Sequence, residues 1–268
     1  MYKDFEKKNS YDICDLLSIM ELLRSENGCP WDKEQTHASI RKNFIEEAYE
    51  AVEAIDMQNS SMLKEELGDV LLQVVFHTQM EKESGAFDFD DVCDGICKKL
   101  VLRHPHIFKD TKVNNTDDVL NNWENIKKVE KGQKTYTEAL NAVPKVLPSL
   151  MRSEKVQSRA AKSGFDYDDI EFAMSDLESE LSELRQAIQN NDIPNQKEEL
   201  GDLLFSVCNV ARFLKLNSEE CLTEACDKFI KRFEQVEIAA EEKNVALKDC
   251  SFNELDAFWK QAKNKLKK

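Results

Sequence analysis

Two stretches of the chain are apolar around almost the whole circumference of a helical wheel. Behind Glu66 come Leu67, Val70, Leu71, Leu72, Val74, Val75 and Phe76; behind Glu199 come Leu203, Leu204, Phe205, Val207 and Val210. A helix apolar on all sides is a buried one, so its few carboxylates are expected to face an internal cleft. In the second stretch Glu199, Asp202, Ser206 and Asn209 recur at helical spacing as one polar stripe. A shorter helical segment precedes each stretch and a basic one follows it. Expected stops are Asn59-Ser60-Ser61 and Asn190–Asn195 with Pro194, then Ser84-Gly85 and Leu216–Ser218. No useful length of chain alternates with the period of a strand. The pattern predicts an all-α protein, with helical hairpins combined into four-helix arrangements.

The pattern also repeats. KEELGDVLLQVV (Lys64–Val75) returns as KEELGDLLFSVC (Lys197–Cys208), 133 positions on, and the same displacement carries Glu47 to Glu180 and Glu50 to Glu183. Later, ICKKLVLR (Ile96–Arg103) matches ACDKFIKR (Ala225–Arg232) at a displacement of 129, which predicts a connecting loop four residues longer in the first copy. Trp123-x-x-x-Lys127 is echoed by Trp259-x-x-x-Lys263. Self-similarity of this kind marks repeated structural units. The expected organisation is a first domain over 1–133, a linker over 134–148 containing Pro144 and Pro148, and a second domain over 149–268.

Composition narrows the class. Seven glycines and five prolines in 268 residues fall well short of the roughly 30 expected from average usage, which disfavours a Gly-rich phosphate loop. A net charge of −15 repels nucleic-acid backbone and anionic lipid, so neither is expected as a partner. The stretch Met1–Lys8 has no signal-peptide pattern, and the longest apolar runs fall short of the ~20 residues that span a bilayer. None of the eight cysteines forms a C-x-x-C pair, and Cys93 and Cys97 have no second pair to complete a zinc site. Reduced core thiols and a cytoplasmic location are the expectation. The histidines (His37, His77, His104 and His106) suggest no catalytic triad, and His104-Pro105-His106 reads as a helix end.

The acidic motif carries the candidate chemistry. Glu47 and Glu50 share a helix face, as do Glu66 and Asp69; bringing two such pairs together is costly unless a cation lies between them. All-oxygen ligands suit Mg²⁺, with Mn²⁺ as a substitute. A di-iron bundle would need Glu-x-x-His, and here the fourth residue is Asp69 or Asp202. The basic helix adds Lys228 and Arg232 (Lys99 and Arg103 in the first copy). Opposite a metal cluster, a Lys/Arg pair makes a phosphate-handling arrangement, and Trp259 with Lys263 could stack a base and touch a phosphate.

These residues resemble the MazG family of all-α nucleoside triphosphate pyrophosphohydrolases. Its pattern, Glu-Glu-x-x-Glu followed after a spacer by Glu-x-x-Asp, stands here as Glu46, Glu47, Glu50, Glu66 and Asp69. GCPWDKEQTH (Gly28–His37), FDFDDVCDGI (Phe87–Ile96), RHPHIF (Arg103–Phe108) and KSGFDY (Lys162–Tyr167) are similar too. The resemblance implies two tandem MazG-like domains in a homodimer. The implied activity is Mg²⁺-dependent hydrolysis of nucleoside triphosphates, with broad base tolerance, to monophosphate and pyrophosphate in nucleotide-pool house-cleaning. It implies Glu180, Glu183, Glu199 and Asp202 as catalytic metal ligands and Lys155, Lys228, Arg232, Trp259 and Lys263 as nucleotide contacts. Glu46, Glu47, Glu50, Glu66 and Asp69 then form a second, weaker site. Ser179 departs from the pattern, since the first copy has Glu46 there; in the first copy Phe76 replaces Asn209 and is expected to crowd the polar stripe. Two other readings stand beside this one: a base-selective dUTPase-like or dCTPase-like all-α pyrophosphatase, and a helical interaction module without activity.

Overall fold

The computed structural model describes residues 7–109, 111–113, 115–130, 132 and 135–266; of the Met1–Lys8 stretch, residues 1–6 lie outside this set. The chain divides into two compact units, Met1–Lys127 and Lys128–Lys268. Among the described residues both are helical throughout and contain no strand. The first unit holds α1 (Ile13–Arg24), α2 (Pro30–Glu34), α3 (Arg41–Asp56), α4 (Ser60–Ser84), α5 (Phe89–Arg103) and α6 (Pro105–Phe108). Next, α7 (Thr116–Glu130) runs across the division. The second unit holds α8 (Tyr136–Asn141), α9 (Ser149–Ala161), α10 (Ile170–Gln189), α11 (Ile193–Phe213), α12 (Ser218–Glu242) and α13 (Phe252–Lys265).

Each unit is organised around one antiparallel hairpin, α3/α4 in the first and α10/α11 in the second. The two turns are built alike. Gln58 and Asn191, 133 positions apart, both take the left-handed conformation at φ 53°, which reverses the chain at the end of a helix. The next residue, Asn59 or Asp192, caps the helix that follows: Asn59 accepts from the Ser61 and Met62 amides, and Asp192 from the Asn195 amide. Pro194 sits in the first turn of α11, where its missing N–H costs nothing. It opens a helix and does not interrupt one.

The four-residue offset between the copies is not in a loop. Ser60 and Ile193 begin their helices at the same displacement of 133, but α4 has 25 residues and α11 has 21. Gly85 at φ 76° ends α4 and Lys215 at φ 58° lies just past α11. From either helix end to the next N-cap, Asp88 or Asn217, the connection is the same length. The difference is one helical turn, added to the end of α4. The proposed linker is also not bare: Thr135 caps α8 through a capping box with Glu138, a Thr-x-x-Glu signature, and Arg159 of α9 donates to the Ala139 carbonyl. His104 caps the C-terminus of α5, with Pro105 opening α6.

In the first unit Met20 of α1 meets Ile40 and Val75, Phe76 and Met80 of α4. In the second, Val236, Ala239 and Ala240 of α12 close on Phe258 and Ala262 of α13. The buried helix expected behind Glu66 is buried only in its second half, from Gln73 to Met80. Leu67 is 54% exposed and Leu71 is exposed too; on α11, Leu200, Leu204, Phe205 and Val207 likewise reach solvent. The reason is geometric: each central helix has one hairpin partner and two flanking helices, which do not close its circumference along its whole length. No helix among the described residues is long and apolar enough to cross a membrane, and the eight cysteines are unpaired.

Phe258 is 2% exposed and Phe252 81%. Phe258→Ala is expected to cost about 3–5 kcal/mol and Phe252→Ala less than about 0.5 kcal/mol, read from the midpoints of urea unfolding. Equal midpoints for the two variants would show that α13 is not part of the core.

Candidate active site

The hairpin turns set which residues face each other across α3/α4 and α10/α11, and in both units they bring three carboxylates together. Glu47 of α3 meets Glu66 and Asp69 of α4; Glu180 of α10 meets Glu199 and Asp202 of α11. In each triad the side chains offer oxygens that all lie within 4.8 Å of one another. The charges oppose this. Partial burial and the neighbouring carboxylates push the pKa values of Glu47 and Glu66, and of Glu180 and Glu199, above the usual glutamate range.

A divalent cation fits this donor set. The ligands are all oxygens on two facing helices, they converge to a span that ligand distances of about 2 Å can draw in, and they lack compensating positive partners within the triads. The remaining acidic residues flank the triads. Glu46 is turned to Lys42, at 2.7 Å. Glu50 and Glu183 add their negative charge to the glutamates beside them, and Glu183 accepts a hydrogen bond from Ser179 at 3.0 Å. Position 179 therefore serves the flank, as Glu46 does in the first copy, and Ser179 takes no carboxylate from the triad.

In the second unit the triad opens on a cavity of about 520 Å³, whose walls include Glu180 and Asp202 themselves. Val156, Gln157 and Ala160 of α9 form one side, Phe165 and Tyr167 of the loop before α10 another, and Phe205, Ser206 and Asn209 of α11 the floor. Asp176, one turn before Glu180, accepts from the Ser206 hydroxyl at 2.7 Å. Burial and that acidic neighbourhood push the Tyr167 hydroxyl pKa up. Arg212 pairs with Asp166 and donates to the Asn209 amide oxygen. Of these residues the sequence pattern marked Ser206 and Asn209 as a stripe; Asp176 had a signal in its i, i+4 spacing from Glu180. The internal repeat concealed it, because Asn43 occupies the equivalent position. Gln157 left no signal at all.

At the equivalent positions the first unit is filled. Phe76, in place of Asn209, is buried in the core around Met20 and Val75. Arg24, one displacement of 133 before Gln157, lies over the Phe76 ring at 5.3 Å and donates to Glu83 at 2.8 Å. Trp31 stands edge-on to the same ring at 6.5 Å. Nearby, the stacked pair His37 and His77, with His37 also on Glu81 at 2.8 Å, ties the segment before α3 to α4.

The basic residues gather elsewhere. Lys228, Arg232 and Lys263 line a second cavity of about 410 Å³ with Lys231, Glu224 and Asp227, and no residue lines both cavities. Trp259 packs against Phe229 and the α12/α13 core, with Arg232 over its ring at 5.9 Å. Arg103 lies over Trp123 at 5.4 Å in the first unit, so the repeated Arg and Trp are a repeated packing contact. Lys155 is exposed on α9, beside the cavity-lining Val156 and Gln157.

A family model described as the MazG nucleotide pyrophosphohydrolase domain matches residues 35–108 and again 169–237, the two segments that carry the hairpins and their triads. The nucleoside triphosphate pyrophosphohydrolase/pyrophosphatase MazG of Thermotoga maritima is 43% identical over 249 residues, 93% of this chain and 94% of that protein. The nucleoside triphosphate pyrophosphohydrolase of Escherichia coli K12 is 42% identical over 253 residues, 92% of this chain and 95% of that protein. An uncharacterised Bacillus subtilis protein, YabN, is 46% identical over 261 residues, which are 96% of this chain and 53% of its own length. The chain belongs to the MazG nucleotide pyrophosphohydrolase family, a family of hydrolases.

A glutamate with a raised pKa in the folded state costs stability as pH climbs from its unfolded value through its folded one. The metal-free protein is therefore expected to lose this part of its stability above about pH 5, and a cation to restore it. In scanning fluorimetry, excess MgCl₂ over EDTA is expected to raise the melting temperature more at about pH 7.5 than at about pH 5. Glu199→Gln is expected to raise the metal-free melting temperature and shrink the Mg²⁺ response. A response equal at both pH values and untouched by Glu199→Gln would rule out a cation at these carboxylates.

Proposed function

We propose that the protein hydrolyses nucleoside triphosphates at the α-phosphorus, giving monophosphate and pyrophosphate, with Mg²⁺ held by Glu180, Glu199 and Asp202 and assisted by Glu183. The observation that carries this reading is the triad opening directly onto a cavity large enough for a small ligand, two of its carboxylates being part of the wall. The names of the relatives from Thermotoga maritima and Escherichia coli support the same substrate class.

The bound cation supplies charge neutralisation at phosphoryl oxygens and a more acidic water. The chain supplies the rest. Its carboxylates would hold the cation that neutralises the phosphate end of the substrate, and one of them takes the proton as the water oxygen bonds to the α-phosphorus. The bond from that phosphorus to the bridging oxygen breaks, and pyrophosphate leaves with the electron pair. Phe165, Tyr167 and Phe205 hold the nucleoside among apolar and aromatic walls, which any base can occupy. In this proposal Lys155, beside the cavity wall, is the cation available to the polyphosphate from the same chain, whereas Lys228, Arg232 and Lys263, with Trp259 against Arg232, line a cavity of their own and would meet the polyphosphate only from a second copy of the chain. The second unit is the main catalytic one, because Phe76, Arg24 and Trp31 occupy the nucleoside's place in the first.

The exposed apolar residues of α10 to α12, among them Leu181, Leu204, Leu222, Phe229 and Ile230, support a homodimer. Light scattering on the eluting protein should give twice the 30.9 kDa chain mass; the single-chain mass would overturn the dimer.

Phosphorus NMR of ATP or dGTP with the protein and Mg²⁺ should show monophosphate and pyrophosphate, whereas diphosphate and orthophosphate would refute attack at the α-phosphorus. Glu199→Ala should lose at least about 10² in turnover and Glu66→Ala markedly less. Equal losses, or a larger one for Glu66→Ala, would reverse the ranking of the two units.

A further inference from the structure

Four carboxylates line the 520 Å³ cavity of the second unit: Asp166, Asp176, Glu180 and Asp202. Glu180 and Asp202 belong to the triad, and Asp166 is paired with Arg212 at 2.9 Å. Asp176 belongs to neither the triad nor any ion pair among the described residues. Its partners are hydroxyl groups. Oδ2 accepts from Ser206 at 2.7 Å, and the Tyr167 hydroxyl is bonded to the same carboxylate from the loop before α10. Two hydroxyls fill two of the roughly four acceptor sites that a carboxylate offers. Asp176 is only half-buried, and neither of its oxygens is sealed off without a partner. Acceptor sites therefore remain for a ligand in the cavity that it lines, on a carboxylate already oriented by its neighbours.

The place of Asp176 along the hairpin decides which part of a ligand it meets. It precedes Glu180 by one turn of α10, and Ser206 follows Asp202 by one turn of α11. The Ser206–Asp176 bond is thus the next rung of the hairpin beyond the triad, about 6 Å along it. One turn further on α11 comes Asn209, in the same wall as Val156 and Phe165. A nucleoside 5′-triphosphate with its phosphates at the triad places its sugar about one such turn away and its base beyond that. Of the sugar hydroxyls, the 3′ is the nearer to the 5′-phosphate. A hydroxyl is the donor that a carboxylate without a cation of its own can take, and such a bond is stronger than one between neutral groups.

We propose that Asp176 is a specificity residue that accepts a hydrogen bond from the 3′-hydroxyl of the nucleotide sugar. Ribonucleotides and 2′-deoxyribonucleotides both carry that hydroxyl, so both are admitted. A sugar without it displaces water from the carboxylate and returns no donor, which costs the acceptor its hydration. Selection at this rung is by sugar and is indifferent to the base. The first unit has Asn43 and Gln73 at the equivalent positions and so carries no carboxylate at this level. This inference rests on the pyrophosphohydrolase reading.

The test compares dATP with 2′,3′-dideoxyadenosine triphosphate, which differs from it only in lacking the 3′-hydroxyl. The wild-type protein is expected to favour dATP by at least about tenfold in kcat/KM, and Asp176→Ala to bring the ratio near one. Equal use of both nucleotides by the wild type would overturn the proposal. So would an Asp176→Ala variant that is slower on both alike and keeps the ratio, the mark of a merely structural role. If Asp176→Ala lacks native circular dichroism, Asp176→Asn, of the same shape, decides. Its neutral acceptor bonds more weakly, so the ratio should fall by at least about threefold, and an unchanged ratio would overturn the proposal. If the wild type hydrolyses neither triphosphate, the activity reading fails, and calorimetry on the two corresponding monophosphates then decides the role of Asp176. Tighter binding of dAMP by about tenfold would sustain it, and equal binding or none would end it.

Discussion

Repulsion among three carboxylates is the constraint around which each unit is arranged. Glu180, Glu199 and Asp202 would move apart if they were free to, and desolvation, with the surrounding carboxylates adding to it, holds the pKa values of Glu180 and Glu199 above the usual glutamate range. They stay because the helices that carry them have no slack. A three-residue reversal with one left-handed position, Asn191, and a side-chain cap, Asp192, joins α10 to α11. A shift of one residue would rotate Glu199 and Asp202 about 100° around α11 and dissolve the cluster. The same device, Gln58 followed by Asn59, holds Glu47 against Glu66 and Asp69. The energy of the hairpin thus maintains an electrostatic arrangement that protonation or a bound cation would relieve.

With that frame duplicated, the two units differ in what their neighbouring helices place beside it. In the second unit α9 contributes Val156, Gln157 and Ala160, and a cavity remains. In the first, Arg24 at the end of α1 reaches over Phe76, and Trp31 closes from the loop. Few substitutions are involved, but they are matched. A phenylalanine in place of Asn209 buries its ring in the core, and an arginine in place of Gln157 finds Glu83 and that ring to receive its charge. The first triad therefore keeps the donor set of the second, but has Phe76, Arg24 and Trp31 packed together where the second unit has Asn209 and its neighbours.

How much of this was legible depends on how local each feature is. The acidic motif was legible because helical spacing alone aligns Glu66 with Asp69 and Glu199 with Asp202, and the shared displacement of 133 carried the partner glutamates. The all-helical class was legible from periodicity. The extra turn of α4 was not, since an offset between two matched segments does not say whether helix or loop absorbs it. Nor was the cavity, which needs α9, a helix outside the repeated segments, and the Phe165–Tyr167 loop brought against α11. The expected opposition of Lys228 and Arg232 to the carboxylates rested on recurrence in sequence. Within one chain, packing of α12 on α13 gives those residues a cavity of their own.

The apolar surface left on the central helices follows from the same arrangement. Helices apolar on nearly all sides need neighbours on all sides, yet a triad serving a ligand needs one side of the hairpin open. Each unit resolves the conflict lengthwise. The second half of α4, from Gln73 to Met80, is sealed by α1, while the half bearing Glu66 and Asp69 keeps Leu67 and Leu71 uncovered. On α11 the exposed Leu200 and Leu204 lie within a turn of Glu199 and Asp202. Uncovered apolar surface is costly in water, and here it is concentrated beside the acidic residues. Covering it with a second copy would seal those turns without touching the buried half of the hairpin, so association and the chemistry of the site would act on the same stretch of helix.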